Sequence, residues 1–433
     1  MAKNTAGDPD RNGIGIDVDA LLLAAQERGS ESLETGRYVV TFKEGAADEA
    51  VRALGTQGLN VANARDFDNQ AVSLDALGGA DTLVLPEIGV AVVGGGAFEA
   101  RGLTMLEEIP ADSPFEIIEP EYFAFADAIS AEYLRGFARA ADVITKDLNG
   151  GQDLAHAESE MEAQALGVTW GLGACRVPQS TRSGAGIKVA VLDTGLALNH
   201  PDFAGRVIKS QSFVGQPVQD LHSHGTHCIG TACGPKSPPG TTPRYGIGYR
   251  TQIFAGKVLS NSGSGSSGSV LAGMNWAIAN QCAVISMSLG SPSPVQAAYT
   301  AAGQAALNKG CLIIAAAGNV AFPAPTGAPA NSPTIVAVAS LDPNLAPSSF
   351  SSGGKIEIAG PGRDVFSAVP LPTRYGVKSG TSMATPHVAG CAALWAETDP
   401  ALRGAALRMK LLASAKGLPF PAARVGRGLV QAP

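Results

Sequence analysis

No apolar run in this sequence reaches the roughly 20 residues that a membrane-crossing helix needs. Basic charge is also short: 31 Lys and Arg stand against 38 Asp and Glu, a net charge of -7. That balance excludes a broad nucleic-acid surface and a basic membrane anchor, so neither nucleic acid nor membrane is expected as a partner. The N-terminus lacks the basic cluster and long apolar stretch of a signal peptide. Its one apolar stretch, Ala20 to Ala25, is short and follows acidic residues. Either the protein stays inside the cell or it uses another export route. Cysteine is sparse. Cys175, Cys228, Cys233, Cys282, Cys311 and Cys391 mostly sit in apolar segments such as "NKGCLIIAAAG" and "HVAGCAALW". Buried reduced thiols are expected there, in place of disulfides.

What is present is an ordinary globular composition, 45% hydrophobic and 16% charged over 433 residues, enough for a large core and two or three domains. Residues 1–36 read as an N-terminal extension, polar and then one short helix. Residues 37–125 read as β-α-β-β-α-β: strand "RYVVTFKEG", helix "DEAVRALGTQG", strands "NVANARDF" and "IGVAVVGGG", helix "GLTMLEE", strand "FEIIEPEYFAFA". That order is a small α+β, ferredoxin-like unit of the split βαβ kind. Residues 126–167 are charged and Ala-rich, a linker.

From 168 to 433 strands and helices alternate. "IKVAVLDTG", "QIFAGKVL", "CAVISMSLG", "CLIIAAAGN" and "TIVAVAS" are continuous apolar runs. "SVLAGMNWAIANQ" and "PVQAAYTAAGQAALNKG" have helical spacing. This pattern predicts an α/β fold, a doubly wound parallel sheet with helices on both faces. Working residues of such sheets gather at the carboxyl ends of strands, where Asp193 and Asn319 stand.

Asp193 lies in an Asp-Thr-Gly triplet. An aspartic protease needs two facing carboxylates, and this chain has one Asp-Thr-Gly and no Asp-Ser-Gly, leaving only a homodimer as a route. His222, His224 and His227 are close enough in sequence for zinc. However, no carboxylate is interleaved at a ligand spacing, and the serine and asparagine motifs would have no role. A serine nucleophile accounts for more. It needs an accessible hydroxyl, an imidazole, a carboxylate to orient that imidazole, and donors for an oxyanion.

"KSGTSMATPHVAGCAALW" puts Ser382 at the start of an apolar-periodic helix. Gly380 allows a tight backbone there, and Pro386 is expected in the first turn. Free N–H groups and the positive dipole end suit an anion there. "DLHSHGTHCIGTACG" supplies His224, Asp193 the carboxylate and Asn319 an oxyanion donor. His387 is five residues from Ser382 on the same helix and is expected to pack or hydrogen-bond elsewhere.

These motifs, "VAVLDTG", "HSHGTH", "AAAGN" and "SGTSMATPHVAG" in that order, resemble those of the subtilases, subtilisin-like serine proteases. The "HGTHC" variant resembles the proteinase K branch, which implies that Cys228 lies beneath the active site. The resemblance implies Asp193 as orienting carboxylate, His224 as base, Ser382 as nucleophile and Asn319 as oxyanion donor. It also implies a groove with Gly263, Ser264 and Gly265 on one wall and Ser288, Leu289 and Gly290 on the other. Ala317 and Gly318 would border the pocket for the residue before the cut.

Residues 37–125 resemble the family's inhibitory propeptide, implying a self-processing zymogen whose own propeptide is an intramolecular inhibitor and whose substrates are polypeptides. The long linker departs from the family pattern and leaves the self-cleavage position open. No cofactor is required. Asp202 matches a calcium ligand of some members, but "GPKSPPGTTPRYGIG" lacks the Asn-rich loop that would complete that site. The competing expectation is a self-limited or non-catalytic binder with the same fold.

Overall fold

The computed structural model describes residues 14–27, 32–100, 110, 112–126 and 167–433. The helix expected at "GLTMLEE" and residues 127–166 of the linker lie outside them.

Helix α1 (Val18–Glu27) comes first. The small domain follows with β1 (Glu34–Phe42), α2 (Ala47–Thr56), β2 (Val61–Asn63), β3 (Thr82–Leu85), β4 (Val90–Val93), α3 (Gly95–Ala100) and β5 (Phe115–Phe125). Residues 34–36, assigned above to the extension, therefore belong to β1. The β3 strand was not expected either. Its "TLVL" run is too short to show a period, and the connection "PEIG" lacks an Asn-Gly type hairpin turn. It pairs antiparallel with β4, Val84 opposite Ala91. The "GGG" that seemed to end a strand opens α3 instead. The sheet order is β2-β3-β4-β1-β5, and β5 continues into a sixth strand from the large domain, β9 (Ser264–Ser266).

The large domain holds seven strands in the order β13-β12-β11-β10-β6-β8-β7, with every neighbouring pair parallel. They are β6 (Lys188–Asp193), β7 (Ile208–Ser212), β8 (Gln252–Lys257), β10 (Val284–Met287), β11 (Leu312–Ala316), β12 (Val336–Leu341) and β13 (Ile358–Pro361). Both faces are covered. Val189 and Val191 of β6 join one core, while Ala190 and Leu192 join the other. A strand buried on both sides has no use for alternation, hence the continuous apolar run. β7 escaped the sequence reading because it is a polar edge strand, "IKSQS". The hairpin β14 (Val365–Ala368) and β15 (Tyr375–Lys378) completes the strands.

The chain enters this sheet at β6, forms the edge strand β7, returns to fill the gap with β8, then crosses to β10 and builds the other half. Asp193 thus ends the strand at the switch point, where the two halves leave a crevice. Two carboxylates of β5 dock the small domain beside it. Glu119 accepts N–H bonds from Ala297 (3.1 Å) and Ala298 (2.9 Å), the first residues of helix Ala297–Asn308. Glu121 accepts from Gly268 N (2.8 Å), at the start of helix Ser267–Ala279. Each satisfies helix N–H groups that have no partner in their own helix and adds favourable charge at the dipole's positive end. All six cysteines are free and buried, as expected.

Candidate active site

Asp193 and His224 meet in the crevice, Oδ1 to Nδ1 at 2.7 Å, both buried. Local backbone chemistry sets this up. Gly225, second in helix His224–Cys233, lies so close to β6 that a Cβ there would sit 2.3 Å from Gly195 O. Only glycine lets the helix start against the strand end. Asp193 Oδ1 also accepts from Thr194 N (2.8 Å), whereas Oδ2 is buried without a hydrogen bond among the described residues. Burial alone would pull the His224 pKa down. The Asp193 carboxylate overrides it and holds the imidazole well above 6.5. Cys228 Sγ lies 3.9 Å from His224 Nδ1, and burial pushes its pKa up, so it stands there as a neutral thiol.

Ser382 is the second residue of helix Thr381–Thr398 and is buried. Its hydroxyl donates to Ala126 O (3.2 Å) and Ser288 O (3.3 Å). His224 Nε2 has no hydrogen bond among the described residues, so the hydroxyl and the imidazole are not joined here. Pro386 falls in the second helical turn, not the first as expected. Its missing N–H frees the carbonyl four residues back, that of Ser382. Ser288 Oγ (2.7 Å) and Cys228 Sγ (3.6 Å) donate to that oxygen instead, so proline ties the serine turn to both groups. Asn319 Oδ1 accepts from Thr381 N (2.8 Å) and Thr381 Oγ1 (2.9 Å). Those two bonds fix the amide flip and reserve Nδ2 as a donor.

The expected groove residues fall on both sides of β5. Ala126 N donates to Gly263 O (2.9 Å), and β5 pairs antiparallel with Ser264, Gly265 and Ser266. On the other side Phe125 N donates to Gly290 O (3.0 Å) and Gly290 N to Phe125 O (2.9 Å). The segment Phe123–Ala126 is therefore an added strand between two walls. Next to it opens a cavity of about 200 Å³, bordered by Leu289, Ala317, Gly318, Asn319, Val320 and Ser382, with no charged side chain in its lining.

His227 and His387 lie outside the catalytic geometry. His227 Nε2 bonds Val365 O (2.9 Å), and burial drops its pKa to about 3. His387 Nδ1 bonds Met383 O (2.9 Å), and burial drops it to about 4. Both rings are neutral packing groups. His222 stacks edge-on to His224, ring centroids 6.1 Å apart.

Asp202, the calcium ligand suggested by resemblance, faces donors: Tyr245 O–H (2.6 Å), Tyr375 O–H (3.0 Å) and the Arg374 guanidinium (3.5 Å). Phenol hydrogens and a guanidinium aimed at one carboxylate do not fit a cation, which needs free oxygen lone pairs.

Two functional residues escaped the sequence reading. Asp220 accepts from His222 N, Ser223 N and Thr226 N, all at 2.9 Å, and from the hydroxyls of Thr194 (3.0 Å) and Thr226 (2.6 Å). It holds the turn that presents His224. An aspartate four residues before a histidine at a helix start was the available signal. Lys257 ends β8 fully buried and donates to Thr194 O (2.6 Å) and Asn261 Oδ1 (2.8 Å). Burial lowers its pKa to about 8 against the opposing pull of Asp220 and Asp193. Nothing in a lone strand lysine announces this.

With that geometry described, comparisons place the chain. Residues 184–428, more than half of it, match the Subtilase family. M-protease of Shouchella clausii is 39% identical over 60% of this chain and 68% of its own length. Subtilisin E of Bacillus subtilis is 36% identical over 62% of this chain and 72% of its own. Among solved structures, a cold adapted subtilisin-like serine proteinase superposes with a TM-score of 0.55 at 32% identity, covering 62% of this chain and 99% of that one. The chain belongs to the subtilase family and is a subtilisin-like serine endopeptidase, hydrolysing polypeptides.

Proposed function

We propose that the chain is a self-processing zymogen whose active site is the constellation above. Asp193 holds His224 in the tautomer with Nε2 free, and Nε2 takes the Ser382 proton as Oγ attacks a peptide carbonyl. Asn319 Nδ2 and the Ser382 N–H hold the oxyanion. His224 then protonates the leaving amine, and water releases the acyl group. The observation that supports this most is the Ser382 hydroxyl lying 3.2 Å from the carbonyl oxygen of Ala126, a residue of the chain itself. The small domain delivers its last strand as the first substrate, so self-cleavage falls within a residue or two of Ala126. For the reaction Oγ must turn from Ser288 O toward Nε2.

After cleavage the small domain, held by β5 and by Glu119 and Glu121, stays on as an inhibitor. The uncharged pocket beside Ser382 favours an apolar side chain before the cut. No calcium is taken at Asp202. A fluorophosphonate probe tests the assignment. Processed wild type labels at Ser382 and hydrolyses casein, and Ser382→Ala does neither. An unlabelled wild type would point to a binder; a labelled one that never turns over casein, to a self-limited enzyme.

A further inference from the structure

The first 27 residues have no place in the mechanism so far, yet α1 is built to dock. Val18, Leu21, Leu22 and Ala25 recur at helical spacing and are buried, while Leu23 between them is 58% exposed. The buried stripe packs on Phe123 and Phe125 of β5 and on Val214 of the large domain. It therefore covers the face of β5 that carries Phe123 and Phe125, opposite Ala124 and Ala126.

The polar contacts are more specific. Three serine hydroxyls of the groove wall converge on one carboxylate oxygen of α1. Asp19 Oδ1 accepts from Ser260 (2.9 Å), Ser262 (2.7 Å) and Ser264 (2.8 Å), and Gln216 Nε2 reaches Oδ2 (3.3 Å). Three donors on one oxygen is a saturated anion site, and two of those serines, Ser260 and Ser264, are buried. A second tie lies upstream. Arg37, 2% exposed, donates to Glu121 (2.6 Å), to Ser266 Oγ (3.2 Å) and, through Nη1, to Ile14 O (2.8 Å). The backbone of the N-terminal segment thus completes the hydrogen bonding of a buried cation.

We infer that Ser260, Ser262 and Ser264 form a carboxylate cradle outside the catalytic centre. In the precursor Asp19 fills it, so that residues 14–27 strap β5 into the groove. This rests on the zymogen reading and adds a second inhibitory element to it. In the groove, β5 bonds mainly through its backbone, as a substrate would. The strap distinguishes the protein's own segment from any other peptide. Release of the inhibitor then requires the cradle to empty as well as the chain to be cut.

The test uses the full chain with Ser382→Ala, which needs no catalysis. Hydrogen exchange is compared with and without Asp19→Ala, and again with Leu22→Asp. The strap predicts at least tenfold faster exchange in residues 14–27 and in β5, with β6, β10 and β11 unchanged. Those core strands report whether each variant folds. Unchanged exchange in β5 while residues 14–27 open overturns the proposal, as does no change in either. In the Ser382-intact chain, Asp19→Ala should shorten the lag before casein hydrolysis several-fold. A chain that never cleaves casein but shows the exchange response keeps the strap and removes the zymogen reading.

Discussion

The two larger sheets of this molecule commit to the site in different ways. The parallel sheet is buried on both faces, and its strand ends carry Asp193 and, beyond β11, Asn319. The antiparallel sheet of the small domain is covered by its own helices on one face and by the large domain on the other, and its last strand leaves its own domain to pair with Ser264–Ser266 of the other. The first sheet fixes a site; the second lends a strand to it. Val39, Leu83, Leu85, Val90 and Val92 of the small sheet also share a buried cluster with Val270, Leu271 and Met274, so the proposed inhibitor leaves only by giving up apolar contact as well as strand pairing.

Substitutions can break that contrast from either side. The largest effect after loss of the nucleophile belongs to Asp193→Asn, which should lower kcat by about 10⁴-fold by misorienting His224. The base must be neutral to act, so activity rises as pH climbs through the His224 pKa. Because the carboxylate raises that pKa, Asp193→Asn should move the acidic limb of the pH–kcat/KM profile to lower pH. A limb that stays put or rises would contradict the electrostatic assignment.

Asn319→Leu should cost on the order of 10²–10³ in kcat, the scale of an oxyanion donor in this family, with KM little changed. A purely structural asparagine would show its loss in the thermal unfolding midpoint instead.

On the inhibitor side, Glu121→Ala strands the buried Arg37 and uncaps helix Ser267–Ala279, destabilising the docked state by about 3–5 kcal/mol. Glu119→Ala, which only caps, should cost about 1 kcal/mol. Calorimetric unfolding of the Ser382→Ala precursor would reveal equal costs if the buried pair were unimportant.

Lys257→Met should give the smallest change, about tenfold in kcat/KM, or roughly 1.4 kcal/mol, because it supports Thr194 without touching substrate. Lys257→Arg would not restore it if the compact ammonium is what the buried site requires. Unaltered kinetics in Lys257→Met would remove it from the positioning set.

The difference between the sheets also explains what the sequence disclosed. Strands β6, β8, β10, β11 and β12 were legible because burial on two faces leaves an unbroken apolar run. β7 was hidden by its polar edge position, and β13 by its brevity and its Gly-Pro ending. Motif spacing pointed to Asp193, His224, Asn319 and Ser382 as the candidate site. It did not reveal that the Ser382 hydroxyl rests on Ala126 O rather than on His224, because that depends on the strand occupying the groove. Pro386 was placed one turn early, since helix periodicity alone does not fix the N-cap. Asp220 left a local signal in its spacing to His224, whereas Lys257 acts through the Thr194 carbonyl, distant in sequence, and no local pattern records that contact.

We propose that Ser382 cuts its own chain where β5 ends. Intact-mass spectrometry of purified wild type beside Ser382→Ala tests it directly. Wild type should give two fragments whose junction lies within a residue or two of Ala126, and Ser382→Ala a single uncut chain. A wild type that stays uncut, or a Ser382→Ala chain cut at the same junction, would contradict it.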